Sequence, residues 1–212
     1  MSVREEQTFE AYQALVLESC IIAGHRRQAT AQTLRAFAAA WTFHENDAPR
    51  KTGEPFISHP VAVQRILADY GVNDPATHRA ALLHDAIEDT DATLEDIKDF
   101  GPRTVNRVDE LTMPDCPPET DSTRWRDEYL EGLERQAGDF VIIVKAADRL
   151  HNLQTSHVLP VAKRRRMAEE AKRRLVRRTK QINMLLGEAL EAEADIVLAQ
   201  CEEPQKAKAT TR

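Results

Sequence analysis

Apolar residues recur every three or four positions along most of the chain, which is the period of helices that bury one face. The stretch FVIIV (140–144) would also suit a buried strand, but the apolar pattern continues through KAADRLHNL without a breaker, which favours a helix. The pattern therefore predicts an all-α fold. Helices are expected over residues 4–23, 29–43, 61–70, 75–89, 94–100, 102–112, 123–136, 139–155 and 161–199, the last as one helix or two broken near Gly187. Residues 1–200 are expected to form a single domain with an N-terminal helical extension, followed by a frayed tail over 201–212.

Composition narrows the class of protein. Charged residues make up 30% of the 212 residues and aromatic residues 5%, which favours helices over a many-stranded sheet. The net charge of −6 gives no overall attraction to nucleic acid or to an anionic membrane. We expect a cytoplasmic protein, because no signal peptide or membrane span is visible and the three cysteines lie far apart without a C-x-x-C motif.

The stretch LLHDAIEDT (82–90) places a histidine and three carboxylates on one face near the end of a predicted helix. The carboxylates of Asp85, Glu88 and Asp89 would repel one another and the negative end of the helix dipole, so a cation is expected beside them. One hypothesis is a divalent cation held by His84 and Asp85, with Glu88 and Asp89 left for chemistry. The alternative is a solvated acidic helix end, which explains the carboxylates but not the histidine.

Two further residues are candidate ligands. Asp148 shares a predicted helix face with Lys145, Asn152 and Thr155, and it is either a ligand or the partner of a salt bridge with a neighbouring Lys or Arg. His59 precedes a proline where a loop becomes a helix, so it is either a helix cap or a ligand. A mixed set of nitrogen and oxygen ligands favours Mn²⁺, Fe²⁺ or Zn²⁺ over Mg²⁺ or Ca²⁺.

Three motifs in order resemble the HD hydrolase domain of RelA/SpoT-type proteins. They are RKTGEPFISHP (50–60), LLHDAIEDT (82–90) and VKAADRLHNLQT (144–155). The chain departs from the family pattern at Ala146 and Gln154, and its loop HENDAPRK is about one residue longer than the family's. No length remains for a synthetase domain, so the chain is expected to resemble the small hydrolase-only forms, including the metazoan SpoT homologue.

The resemblance implies an HD-domain helical bundle with a central metal site, which holds one Mn²⁺ per chain or another divalent transition metal. It further implies hydrolysis of (p)ppGpp at the 3′ position, which gives GDP or GTP and pyrophosphate. The residues implied as metal ligands are His59, His84, Asp85 and Asp148. Glu88 and Asp89 would activate or position water. Arg50 would stack on the base, and the other residues implied in nucleotide binding are Lys51, Lys145, Asn152 and Thr155.

Two other functions remain open. An HD phosphohydrolase could act on another nucleotide, such as NADPH or an adenosine alarmone, because the loop before Arg50 differs. A binding module could instead use the basic segment KRRRMAEEAKRRLVRRTK (163–180) to recruit a partner or nucleic acid. We favour a solvated helix face for this segment, because apolar residues alternate with its cations. The expected partner is therefore a small nucleotide, without nucleic acid or membrane.

Overall fold

The computed structural model describes the backbone of residues 3–209 and the side chains of residues 8–202. Within that range the chain is helical and contains no β-strand, so the predicted all-α fold is confirmed. The helices are α1 (Val3–Ile22), α2 (Arg27–Phe43), α3 (Ser58–Asp69), α4 (Pro75–Leu83), α5 (Ala86–Asp89), α6 (Pro102–Leu111), α7 (Ser122–Gln136), α8 (Asp139–Gln154), α9 (Val161–Glu170), α10 (Val176–Ile182) and α11 (Met184–Ala209). None of these described helices has the length and apolar character needed to span a membrane.

The chain divides into two compact units, residues 1–117 and residues 118–212, called here the first and second units. The single domain predicted over residues 1–200 stays a prediction. Helix α11 continues to Ala209, and the last three residues of the predicted tail, 210–212, lie outside the described residues.

The core of the first unit is built from α1 to α4 and α6 around Phe37, which is fully buried. Its ring lies 5.1 Å from the ring of Phe9 and 6.2 Å from that of Trp41. Burying a side chain of this size stabilises the fold by about 2–3 kcal/mol. Alanines at 36, 40, 80 and 81 are also buried and let the helices approach closely. This packing holds α3 and α4 in place, and they carry His59 and lead into His84.

Helix α4 begins as predicted but ends earlier than predicted. The Asp74 side chain caps it by accepting a hydrogen bond from the Thr77 amide at 3.0 Å. Burial alone would raise the pKa of Asp74, but hydrogen bonds from Arg107 and Thr77 outweigh burial and lower it to about 2. The prediction of one helix over 75–89 was wrong, because the helix stops at Leu83 and resumes as the single turn α5. Asp85 lies between them with ψ −7°, away from the helical value.

Two other local predictions were wrong in the first unit. His59 is not a helix cap, since α3 already begins at Ser58 and the His59 amide donates to the Phe56 carbonyl in the preceding turn. The stretch 94–100 is not an α-helix, and only Lys98–Phe100 forms a short 3₁₀ turn. Asp96 instead accepts hydrogen bonds from the amide and hydroxyl of Thr93, which stabilises a turn.

The second unit contains α8, whose residues from Val141 to Leu150 are all buried, so the helix predicted for FVIIVKAADRL is confirmed. After α9 the helix widens into a π segment at Ala171–Leu175 and continues as α10. The predicted break near Gly187 lies instead at Asn183, which has extended dihedral angles and accepts a hydrogen bond from the Leu186 amide at 3.1 Å. Asn183 therefore caps α11.

Candidate metal centre and active site

His84 follows the last residue of α4, and its ring is buried, with 1% of the residue exposed. Its Nδ1 lies 2.8 Å from the Ala81 carbonyl oxygen. A carbonyl can only accept, so Nδ1 carries the proton and, in the neutral ring, Nε2 presents its lone pair. This is the tautomer in which a histidine binds a metal ion through Nε2.

Asp85 lies beside two imidazoles within the first unit. One carboxylate oxygen is 3.0 Å from Nε2 of His84, and the other is 3.6 Å from Nε2 of His59. The two rings are 5.2 Å apart between centroids, and both histidines are buried. Two nitrogen donors and a carboxylate therefore converge on one point, and this donor set fits a divalent transition-metal ion.

Glu88 and Asp89 lie one turn further along, on α5, and both are exposed. One oxygen of Glu88 accepts a hydrogen bond from the Met113 amide at 2.7 Å. This bond orients the carboxylate while its remaining lone pairs stay able to accept a proton. Sequence reasoning missed Met113, because its contribution is a backbone amide 25 positions away, which no side-chain pattern reveals.

Arg50 and Lys51 lie on a tight turn between α2 and α3. The Arg50 amide donates to the Glu54 carbonyl at 2.8 Å, and the Gly53 amide donates to the Arg50 carbonyl at 2.8 Å. Gly53 has φ +94°, a conformation that other residues rarely adopt. The turn fixes the backbone of Arg50, which is half-buried, and leaves Lys51 exposed.

Asp148 is buried on α8 in the second unit, and two polar side chains of the same helix lie close to its carboxylate. Asn152 donates a hydrogen bond to its Oδ1, and Nζ of Lys145 lies 3.5 Å from its Oδ2. Lys145 also lies over the ring of Tyr129, 5.8 Å from its centroid, a contact that sequence reasoning did not find. The salt bridge considered as an alternative role for Asp148 is thus present.

Thr155 follows the last residue of α8, and its hydroxyl donates to the His151 carbonyl at 2.9 Å. The structure therefore brings His59, His84 and Asp85 together in the first unit, and Lys145, Asp148 and Asn152 together in the second. The roles assigned to these residues stay predictions.

A family model described as "HD domain" matches residues 36–173, which is more than half of the chain. The chain belongs to the HD domain family. The resemblance to RelA/SpoT-type HD hydrolases is confirmed by relatives of that type. His84 and Asp85 are the adjacent His-Asp pair of this HD domain chain.

Curated relatives of this HD domain chain include two from bacteria. The chain is 39% identical over 149 residues to the bifunctional (p)ppGpp synthase/hydrolase SpoT of Escherichia coli K12, across 64% of this chain and 20% of that one. It is 37% identical over 152 residues to a guanosine-3′,5′-bis(diphosphate) 3′-pyrophosphohydrolase of Aquifex aeolicus, across 69% of this chain and 21% of that one. The matched region thus spans about a fifth of the length of these relatives.

A solved structure resembles this HD domain chain over most of its length. It is described as a metazoan ortholog of SpoT that hydrolyzes ppGpp and plays a role in starvation responses. The TM-score is 0.66 at 26% sequence identity, covering 80% of this chain and 95% of the other. The HD-domain helical fold is therefore established for this chain.

Proposed function

We propose that the chain is a metal-dependent hydrolase that removes the 3′-pyrophosphate of (p)ppGpp and releases GDP or GTP and pyrophosphate. The observation that carries this proposal is the convergence of His59, His84 and Asp85 in the HD motif of the first unit. The names of the similar bacterial and metazoan proteins support the choice of substrate.

The metal ion that we propose is Mn²⁺, one per chain, held by His59, His84, Asp85 and Asp148. The tautomer of His84 supports this set, since its Nδ1 is committed to Ala81 and its Nε2, 3.0 Å from an Asp85 oxygen, is the nitrogen that would bind the ion. Asn152 and Lys145 would hold the Asp148 carboxylate in one orientation. When bound, such an ion polarises a phosphoryl group and lowers the pKa of a bound water.

In the reaction, a water oxygen forms a bond to the phosphorus attached to the ribose 3′ oxygen, and the bond from that phosphorus to the 3′ oxygen breaks. The water loses a proton, and the 3′ oxygen gains one as it leaves with the nucleoside. We assign proton transfer to Glu88 and Asp89, because they follow the metal motif by one turn and are exposed to water. The Met113 amide would keep Glu88 in position.

Nucleotide binding is assigned to residues that can meet a flat base and a charged pyrophosphate. Arg50 is proposed to stack on the base, since a guanidinium can lie flat on a purine. Lys51, Lys145, Asn152 and Thr155 complete the proposed pocket. The rigid turn at residues 50–54 supports this role for Arg50, because it removes backbone freedom before the substrate binds.

The basic segment 163–180 gives little support to a nucleic-acid-binding function. Most of its arginines and lysines contact acidic residues of α7, α9 and α11 and the first residue of α8, within the second unit. Those with a carboxylate oxygen within 4.0 Å are Arg166, Lys172, Arg173, Arg174, Arg177, Arg178 and Lys180. These cations neutralise the protein's own acids, so they contribute little to attracting phosphates.

A nucleotide panel with added Mn²⁺ tests the proposal. We expect stoichiometric pyrophosphate and GDP from ppGpp, and no orthophosphate. Release of orthophosphate from NADPH without turnover of ppGpp would replace the proposed substrate by another nucleotide. Salt-sensitive binding of duplex DNA without any turnover would instead support the binding-module hypothesis.

A further inference from the structure

A cavity of about 640 Å³ lies in the first unit at the end of α2 and the loop that follows it. Small-molecule sites have volumes of roughly 300–1,000 Å³. Its wall includes Thr8, Trp41, residues 44–47 and Phe56, and it includes neither Arg50 nor any of the proposed metal ligands. The cavity is therefore a place where a second small molecule could bind, apart from the proposed nucleotide site.

His44 lines the cavity and orients one of its carboxylates. Its Nδ1 lies 2.7 Å from a carboxylate oxygen of Asp47, and the residue is 5% exposed. A carboxylate can only accept, so Nδ1 donates this bond and holds the Asp47 carboxylate in one orientation.

The charges and rings of the wall indicate the class of that ligand. Glu45 and Asp47 are acidic, and the described residues that line the cavity include no lysine or arginine. Trp41 and Phe56 supply aromatic surface, and the His44 ring stacks on Phe56 at 4.4 Å with an interplanar angle of 25°. Aromatic faces and carboxylates both attract cations and disfavour phosphates.

We propose that this cavity binds a small organic cation that carries several N–H donors, of the guanidinium class. Its flat face would lie against aromatic surface, and its N–H groups would donate to the carboxylates of Glu45 and Asp47. A guanidinium suits this wall, because it has five donors in a fixed plane and no acceptor. This proposal does not depend on the proposed hydrolysis of (p)ppGpp.

Calorimetric titration with n-butylguanidinium and with n-butylurea tests the proposal on the full chain. The two probes share shape and differ in charge, so we expect saturable binding of the guanidinium and affinity for the urea lower by about tenfold or more. Equal affinities would show that the cavity recognises shape alone and would overturn the proposal. Absence of saturable guanidinium binding to the folded chain would overturn it as well.

Two variants place the cation in this cavity. Glu45→Gln removes an exposed charge at little risk to folding, and we expect it to weaken guanidinium binding by about tenfold. Asp47→Asn should weaken binding to a similar extent, because it removes the second carboxylate of the wall. The matched control is Asp109→Asn, which removes an exposed carboxylate from α6 and should bind as the parent does. Parental affinity in both cavity variants would contradict the proposal.

Discussion

Asp85 lies between the imidazoles of His59 and His84, so removal of its carboxylate should release the metal ion. We expect Asp85→Ala and Asp148→Ala each to lose bound metal and activity together. Elemental analysis and kcat, measured on the same preparations with and without added Mn²⁺, check this expectation. Stoichiometric metal in either purified variant would remove that residue from the ligand set.

Glu88 and Asp89 should behave differently from the ligands, because they are assigned to proton transfer. Glu88→Gln and Asp89→Asn keep shape and lose the ability to accept a proton, so metal content should be unchanged while kcat falls by a factor of about 10²–10⁴. Glu88→Gln can still accept the hydrogen bond from the Met113 amide through its carbonyl oxygen. A lower kcat in this variant would therefore report lost proton transfer and not lost positioning of the side chain. Near-parental rates in both variants would contradict the mechanism.

Arg50 is assigned a contact with the base, which is the same in the substrate and in the transition state. Arg50→Ala should therefore raise KM for ppGpp far more than it lowers kcat at saturation. Lys51→Ala is the comparison variant, because it removes a neighbouring positive charge and keeps the Arg50 guanidinium that is proposed to stack on the base. An unchanged KM in Arg50→Ala, measured by steady-state kinetics, would refute the stacking role.

At the scale of elements, α10 and α11 approach closely at Gly187. A Cβ built on this residue would lie 2.6 Å from the Lys180 amide nitrogen and 2.8 Å from its Cα. Backbone atoms cannot move aside as the end of a flexible side chain can, so the added methyl group would force the two helices apart. Gly187→Ala should therefore lower the free energy of unfolding by about 1–3 kcal/mol.

Gly132→Ala is the matched control, because Gly132 lies inside α7 and an added Cβ meets nothing within 4 Å there. It should be neutral or stabilise by up to about 1 kcal/mol. Trp125 on α7 reports unfolding of the second unit by fluorescence once Trp41 is replaced by phenylalanine. Equal unfolding midpoints for the two alanine variants would show that α10 and α11 move apart without loss of stability, which would contradict the prediction.

At the scale of the whole molecule, each unit contains one of the two tryptophans, so their unfolding can be followed separately. His78 is buried in the first unit and accepts from the Gln64 amide at 3.0 Å while donating to the Val72 carbonyl at 2.7 Å. Burial lowers the pKa of His78 to about 4 from its usual 6.5. Burial also lowers the pKa of neighbouring His25.

The first unit should therefore lose stability as the pH falls from 6.5 toward 4. In that window the unfolded chain binds a proton at His78 and the folded chain does not, so the free energy of unfolding falls by up to about 1.4 kcal/mol per pH unit. The lowered pKa of His25 adds to this loss of stability as the pH falls. Asp74, with its pKa of about 2, adds a further loss of stability only below pH 3.8.

Denaturant titrations at pH 7 and pH 5 check this expectation through Trp41 in a Trp125→Phe background. His78→Gln keeps one donor and one acceptor and should flatten the pH dependence, whereas exposed His157→Gln should leave it unchanged. The same slope in the His78→Gln variant and its parent would assign the acid sensitivity to other groups.

The sequence by itself determined most of the helical segments, because apolar period and capping act over three or four residues. Such local patterns predicted the Asp74 cap, helix α8, and the cluster of a histidine and carboxylates in LLHDAIEDT. Only the tertiary structure decided the break between α4 and α5 and the bond from the Met113 amide to Glu88. It also decided the acidic partners of the basic segment, such as Asp127 for Arg173, which is 46 positions away. These features depend on distant groups meeting in space, and local periodicity carries no information about which distant groups meet.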